Sequence, residues 1–174
     1  MIEELEAYAL SNKDLARLLD KKNHLVLYPD LIKYNNIDDV LGKYGMCTLL
    51  FESKPNYGHW VCLWKLNENT VSFFNSYHGL PDDSLDYISD NFAKISNQNY
   101  PYLSRLLFNC PYNLTYNQFV YQKKGKNIKT CGRHVVVRLW ARDLGDEEYH
   151  DYVNHYIDKY NLKDADEFVT LLTS

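Results

Sequence analysis

Four residues of this chain are of the types that acyl transfer through a thiol requires: Cys131, His59, Asn75 and Gln122. Attack on an amide needs a sulfur that can ionise, an imidazole to take its proton, a group that fixes the imidazole, and N–H donors for the oxyanion. Cys131 lies in Lys129-Thr-Cys-Gly-Arg133, after a loop and at the expected start of a helix, where unpaired N–H groups and the helix dipole favour a thiolate. Gly132 is expected to leave the backbone beside the sulfur uncrowded, so that a substrate carbonyl can approach while a main-chain N–H points at its oxygen. His59 opens a strand directly after Gly58, and Asn75 ends the next strand in Phe73-Phe-Asn-Ser-Tyr77. From there the Asn75 amide oxygen could accept from one ring nitrogen and set the tautomer, leaving the other nitrogen for the sulfur. Gln122, upstream of the cysteine, could offer a side-chain N–H to the oxyanion, with Gln118 as the alternative donor.

Taken singly, each of these residues has an ordinary reading: a buried cysteine, a core histidine, a strand-end turn former. His78, His134, His150 and His155 are read that way, and Cys47, Cys62 and Cys110, beside apolar runs, are expected to be buried packing residues. The four cysteines include no CxxC pair, and His59 with Cys62, three apart on a strand, would face opposite sides of a sheet. Neither a metal nor a cofactor is expected.

Strands and helices must bring the four together. Met46–Phe51, His59–Trp64 and Thr70–Phe74 are β-branched and aromatic runs separated by turn residues, and they read as adjacent strands. Ser11-Asn-Lys-Asp14 ahead of Leu15, Leu18 and Leu19 predicts an N-cap and a helix over residues 12–20. From Pro81 to Phe108 the spacing of Leu85, Ile88, Phe92 and Ile95 predicts helical structure lying on the sheet, and 115–121 predicts a further strand. Cys131 to Leu144 predicts a buried helix, although its three consecutive valines also suit a strand. Tyr149, Val153, Tyr156 and Ile157 predict helix in the C-terminal part. The fold class expected is α+β, a central mixed sheet packed on helices.

With 174 residues, 45% of them hydrophobic, and no linker-like tract, residues 1–174 are expected to form a single domain. No apolar run approaches the roughly 20 residues of a membrane span, and the N-terminus is acidic where a secretion signal would be basic. A formal charge of −4 provides no general field for nucleic acid, so a protein partner, an intracellular setting and a monomer are the expectations. The basic run Lys123-Lys124-Gly125-Lys126 with Lys129 is either a solvated loop or a docking point for an acidic partner.

Gly58-His-Trp60, Phe73-Phe-Asn-Ser-Tyr77, Gln122 and Thr130-Cys-Gly132, in that order, resemble the adenovirus-type maturation proteases and the ubiquitin-like-protein proteases. The resemblance covers roughly residues 45–140 and implies a papain-like cysteine protease fold with His-Asn-Cys chain order. It further implies His59 as general base, Asn75 as orienter, Gln122 as oxyanion donor, Cys131 as nucleophile, and Trp60 as the wall of a channel that admits Gly-type residues. Much of that group has an acidic residue where Asn75 stands, and the eight residues from Lys123 to Thr130 make a longer gap than is usual there. The implied activity is a cysteine endopeptidase acting on viral structural precursors, in a virophage or large DNA virus, within the virion or host cytoplasm, with a peptide activator left open. A ubiquitin-like-protein deconjugase, a Cys-His protein acetyltransferase and an inactive binding module are the alternatives. With a surface-facing thiol, Cys131→Ala is expected to leave the fold intact.

Overall fold

A computed structural model describes all residues from Met1 to Ser174. In chain order the strands are β1 (His24–Leu27), β2 (Met46–Lys54), β3 (Tyr57–Asn67), β4 (Thr70–Phe74) and β5 (Asn113–Tyr116). The helices are α1 (Ile2–Glu6), α2 (Asn12–Leu18), α3 (Ile37–Leu41), α4 (Asp90–Ile95), α5 (Tyr102–Phe108), α6 (Cys131–Trp140), α7 (Asp146–Lys159) and α8 (Ala165–Leu172). Short 3-10 turns cover Tyr28–Lys33 and Asp83–Tyr87.

The five strands lie in the order β1-β2-β3-β4-β5, antiparallel through β2, β3 and β4 and parallel at both edges, β1 on β2 and β5 on β4. This is an α+β protein with a mixed sheet. Strand β3 sits at the centre and is apolar on both sides, as a strand covered on two faces must be. Trp60, Cys62 and Trp64 join a core with Leu15, Val135, Leu139, Tyr149 and Phe168, whereas Val61 and Leu63 join another with Tyr28, Ile37, Phe73 and Leu103. Helix α6 therefore lies against one face, while α3 and α5 cover the other.

Nine of the ten residues of α6 are buried, among them Arg133, His134 and Arg138. A buried guanidinium must find acceptors. Arg138 donates to the carbonyls of Ala141 at 2.8 Å and Leu144 at 2.7 Å, and lies between the rings of Trp64 and Tyr149, 4.5 and 4.4 Å from their centroids. Arg133 donates to Thr173 Oγ1 at 2.7 Å and to the Leu5 carbonyl at 3.3 Å, joining α1 and α8 to α6. Each tryptophan also fastens a segment through its indole N–H: Trp60 to the Leu10 carbonyl, Trp64 to that of Arg142 and Trp140 to that of Leu18.

Several sequence expectations need adjustment. Residues 81–108 are not continuous helix: Ser89 caps α4, Asn97 takes a positive φ of 59° after it, and α5 begins anew behind Pro101. Ile95 is 72% exposed and lies off the sheet. The strand expected over 115–121 ends at Tyr116, because Asn117 turns its amide onto the Asn75 backbone instead, donating to its carbonyl at 2.8 Å and accepting from its N–H at 3.1 Å. Helix α6 stops at Trp140 rather than Leu144. Cys110 is half-buried rather than buried. No helix is long and apolar enough to cross a membrane.

Candidate active site

The β2–β3 hairpin places His59. Phe51 pairs with His59 and Glu52 with Gly58, beside an irregularity in register between Glu52 and Lys54. A side chain at position 58 would put its Cβ 1.8 Å from the Phe51 carbonyl oxygen, so only glycine allows the two backbones to meet there. Strand β3 outruns β4. The pairing of Cys62 with Phe74, continued past the end of β4, sets His59 opposite Tyr77, and their rings stack with centroids 4.8 Å apart.

Asn75 follows β4 directly and is 2% exposed. Its Oδ1 accepts from His59 Nε2 at 2.8 Å and from the Tyr77 N–H at 3.0 Å, while its Nδ2 donates to Ser84 Oγ at 3.2 Å. The donor to Ser84 and the acceptor toward Tyr77 fix which way the amide faces. It follows that Nε2 of His59 carries the proton and that Nδ1 is the nitrogen left as a base.

Cys131 begins α6, with Thr130 as the preceding cap residue. Contrary to a surface-facing thiol, Cys131 is only 8% exposed and packs into the α6 core. Burial pushes its pKa up, and the backbone N–H groups of Trp60, Gly132 and Cys131 itself offset part of that shift. Burial pulls the His59 imidazole down to about 4, the bond to Asn75 opposing and the charge of His134 adding to the fall. At neutral pH the two groups therefore rest as thiol and neutral imidazole.

Cys131, His59 and Gln122 line one cleft of about 210 Å³, together with Tyr57, Tyr77 and Tyr87. Gln122 is 2% exposed; its Oε1 accepts from Ser76 Oγ at 2.6 Å, and its Nε2 reaches Tyr77 Oη at 3.2 Å and, at a longer 3.4 Å, the Ile128 carbonyl. The amide nitrogen is thus turned toward the cleft, and the weaker contact is the one an incoming oxygen can replace. Gln118 lies elsewhere: it is exposed, its N–H donates to Asp146, and it borders a different depression at the start of α7.

Two expectations fail in detail. Trp60 does not wall the cleft; it is 4% exposed and its ring belongs to the α6 core. Gly132 is not a gap for substrate either. A Cβ there would meet Leu10, Leu15 and Trp60 side chains at 3.1–3.3 Å, so the missing side chain lets α6 approach the sheet and the N-terminal segment. What sequence reasoning missed is Tyr77, which touches both His59 and Gln122 although it stood inside a motif already singled out, and Asp166 of α8, which bonds Thr130 and His134 on either side of Cys131 and which no spacing announces.

No protein-family model matches the chain. It is 51% identical over 175 residues to the uncharacterized protein V9 of Sputnik virophage, with 99% of each chain covered.

Proposed function

The chain belongs to the family of that virophage protein V9, and on this footing we propose that it is a cysteine endopeptidase of papain-like arrangement with His-Asn-Cys chain order. One observation carries the reading. Asn75 Oδ1 accepts from His59 Nε2 at 2.8 Å, leaving Nδ1 as the basic nitrogen, and His59, Cys131 and Gln122 line one cleft, with Cys131 at the first residue of α6.

The chemistry is as follows. As a substrate carbonyl enters, His59 Nδ1 takes the Cys131 proton and Sγ bonds to the carbonyl carbon, placing negative charge on the oxygen. Gln122 Nε2 and the backbone N–H groups at the start of α6 receive that oxyanion. Collapse breaks the C–N bond, His59 returns its proton to the leaving amine, and a thioester remains on Cys131. Water, deprotonated by the same nitrogen, then attacks the thioester and frees the acid and the thiol. Tyr57, Tyr77 and Tyr87 around so small a cleft favour a small, Gly-type residue before the scissile bond, a restriction that Trp60 does not supply. Viral structural precursors are the proposed substrates.

Hydrolysis of a fluorogenic Gly-Gly peptide tests the reading. Cys131→Ala and His59→Ala should each abolish turnover, by about 10³-fold or more, and Asn75→Ala should cost less than either. Since Cys131 is buried, its replacement by alanine should also lower stability, by about 1 kcal/mol. Full activity in Cys131→Ala would end the proposal.

A further inference from the structure

The longer connection between Gln122 and Cys131 is closed at its base by one side chain from the far end of the sequence. Asp166, in the first turn of α8, is 1% exposed. Its Oδ2 accepts from the backbone N–H of Lys123 at 3.0 Å; its Oδ1 accepts from Thr130 Oγ1 at 2.6 Å and from His134 Nε2 at 2.8 Å. Lys123 immediately follows Gln122, and Thr130 immediately precedes Cys131. The carboxylate therefore grips both ends of the Lys123–Thr130 segment, each one residue from a member of the site, and its bond to His134 ties it to the first turn of α6. The segment is exposed from Lys123 to Asn127; Lys123 Nζ also meets Asp164 at 3.0 Å and the Lys129 N–H donates to the Glu6 carbonyl at 2.8 Å, but Asp166 is the side chain that bonds Lys123 and Thr130 at once.

We infer that Asp166 is a positioning residue, setting the distance and angle between the Gln122 amide and the Cys131 sulfur so that the oxyanion meets its donor. The inference rests on the protease reading above. Its energetic logic is that a buried carboxylate is stable only when its oxygens are fully engaged, and here the engagement is spent on the two residues flanking the site. A donor displaced by about 1 Å loses on the order of 100-fold in rate, which is the effect available to this contact.

Asp166→Asn separates the roles. An asparagine can still accept from Thr130 and His134 through Oδ1, but its NH₂ group faces the Lys123 N–H, donor against donor, and frees the end of the segment next to Gln122. Peptide cleavage and alkylation of Cys131 by iodoacetamide are measured side by side, because alkylation forms no oxyanion and needs no Gln122. For Asp166→Asn the fluorogenic Gly-Gly peptide should show kcat lower by about 10- to 100-fold with KM within about twofold. The alkylation rate should stay within about threefold of the parent. Thr130→Val should lower kcat by about tenfold and Thr130→Ser should restore it; this pair carries the test if Asp166→Asn does not fold. Unchanged kcat in Asp166→Asn and Thr130→Val, or equal falls in cleavage and alkylation, would overturn the role of Asp166 alone. A parent protein that cleaves no peptide would overturn the protease reading and this inference together.

Discussion

At the level of single residues, the pairing of a raised thiol with a lowered imidazole decides how the site titrates. An aspartate beside His59 would stabilise an imidazolium, and with it a resting thiolate; Asn75 carries no charge and does so only through a dipole. Desolvation dominates both shifts, so at neutral pH the proton rests on sulfur. The alkylation rate of Cys131 should therefore still be climbing above about pH 8, because its pKa is moved upward from an ordinary value of about 8.5. The sign is fixed by burial: raising the pH creates the reactive thiolate, and lowering it removes it. His59, neutral above about 4, adds no acidic limb until well below pH 6. A rate already level at about pH 6 would instead reveal a preformed ion pair.

Among the elements, the hairpin and α6 differ in what a methyl group would do to them. Gly58→Ala drives a Cβ into a backbone oxygen at 1.8 Å, whereas Gly132→Ala presses on three side chains at 3.1–3.3 Å that can shift. The first should cost at least about 3 kcal/mol and uncouple His59 from β2, the second about 1–3 kcal/mol. Urea titration of the two variants checks the order. These elements also mark how far the sequence could be read. β2, β3, β4 and α6 were legible because their apolar runs are long and bounded by turn residues; Asn75 and Cys131 were legible at the edges of β4 and α6, whereas His59, two residues into β3, and Gln122, in the loop before α6, were legible only through the order of the whole set. β1, only His24-Leu-Val-Leu27, was not read as a strand, since four residues carry no period and its pairing with β2 is parallel and distant. Trp60 misled because the residue after the base was given a role by likeness, while the alternation of β3 sends its ring to the core. Asp166 was invisible because its partners lie more than thirty positions upstream and meet it only through α6–α8 packing.

For the molecule as a whole, α6 is the hub to which both outer portions of the sequence are bound, and Arg133 is the most explicit tie. It spans Leu5 on one side and Thr173 on the other. Replacing it by methionine keeps the packing of its stem but removes its charged hydrogen bonds to Thr173 and Leu5, whose oxygens keep their bonds to Val169 and Tyr8, at about 2–3 kcal/mol. That corresponds to a melting temperature lower by roughly 4–12 °C for a domain of this size, measurable by calorimetry. An unchanged melting temperature would mean that water replaces the guanidinium without loss. The three indole anchors have a different consequence. Because Trp60, Trp64 and Trp140 are each pinned to a carbonyl of a separate segment, the chain carries its own optical labels, and proteins retaining one tryptophan apiece would report by emission colour which seam of the structure comes apart before the others.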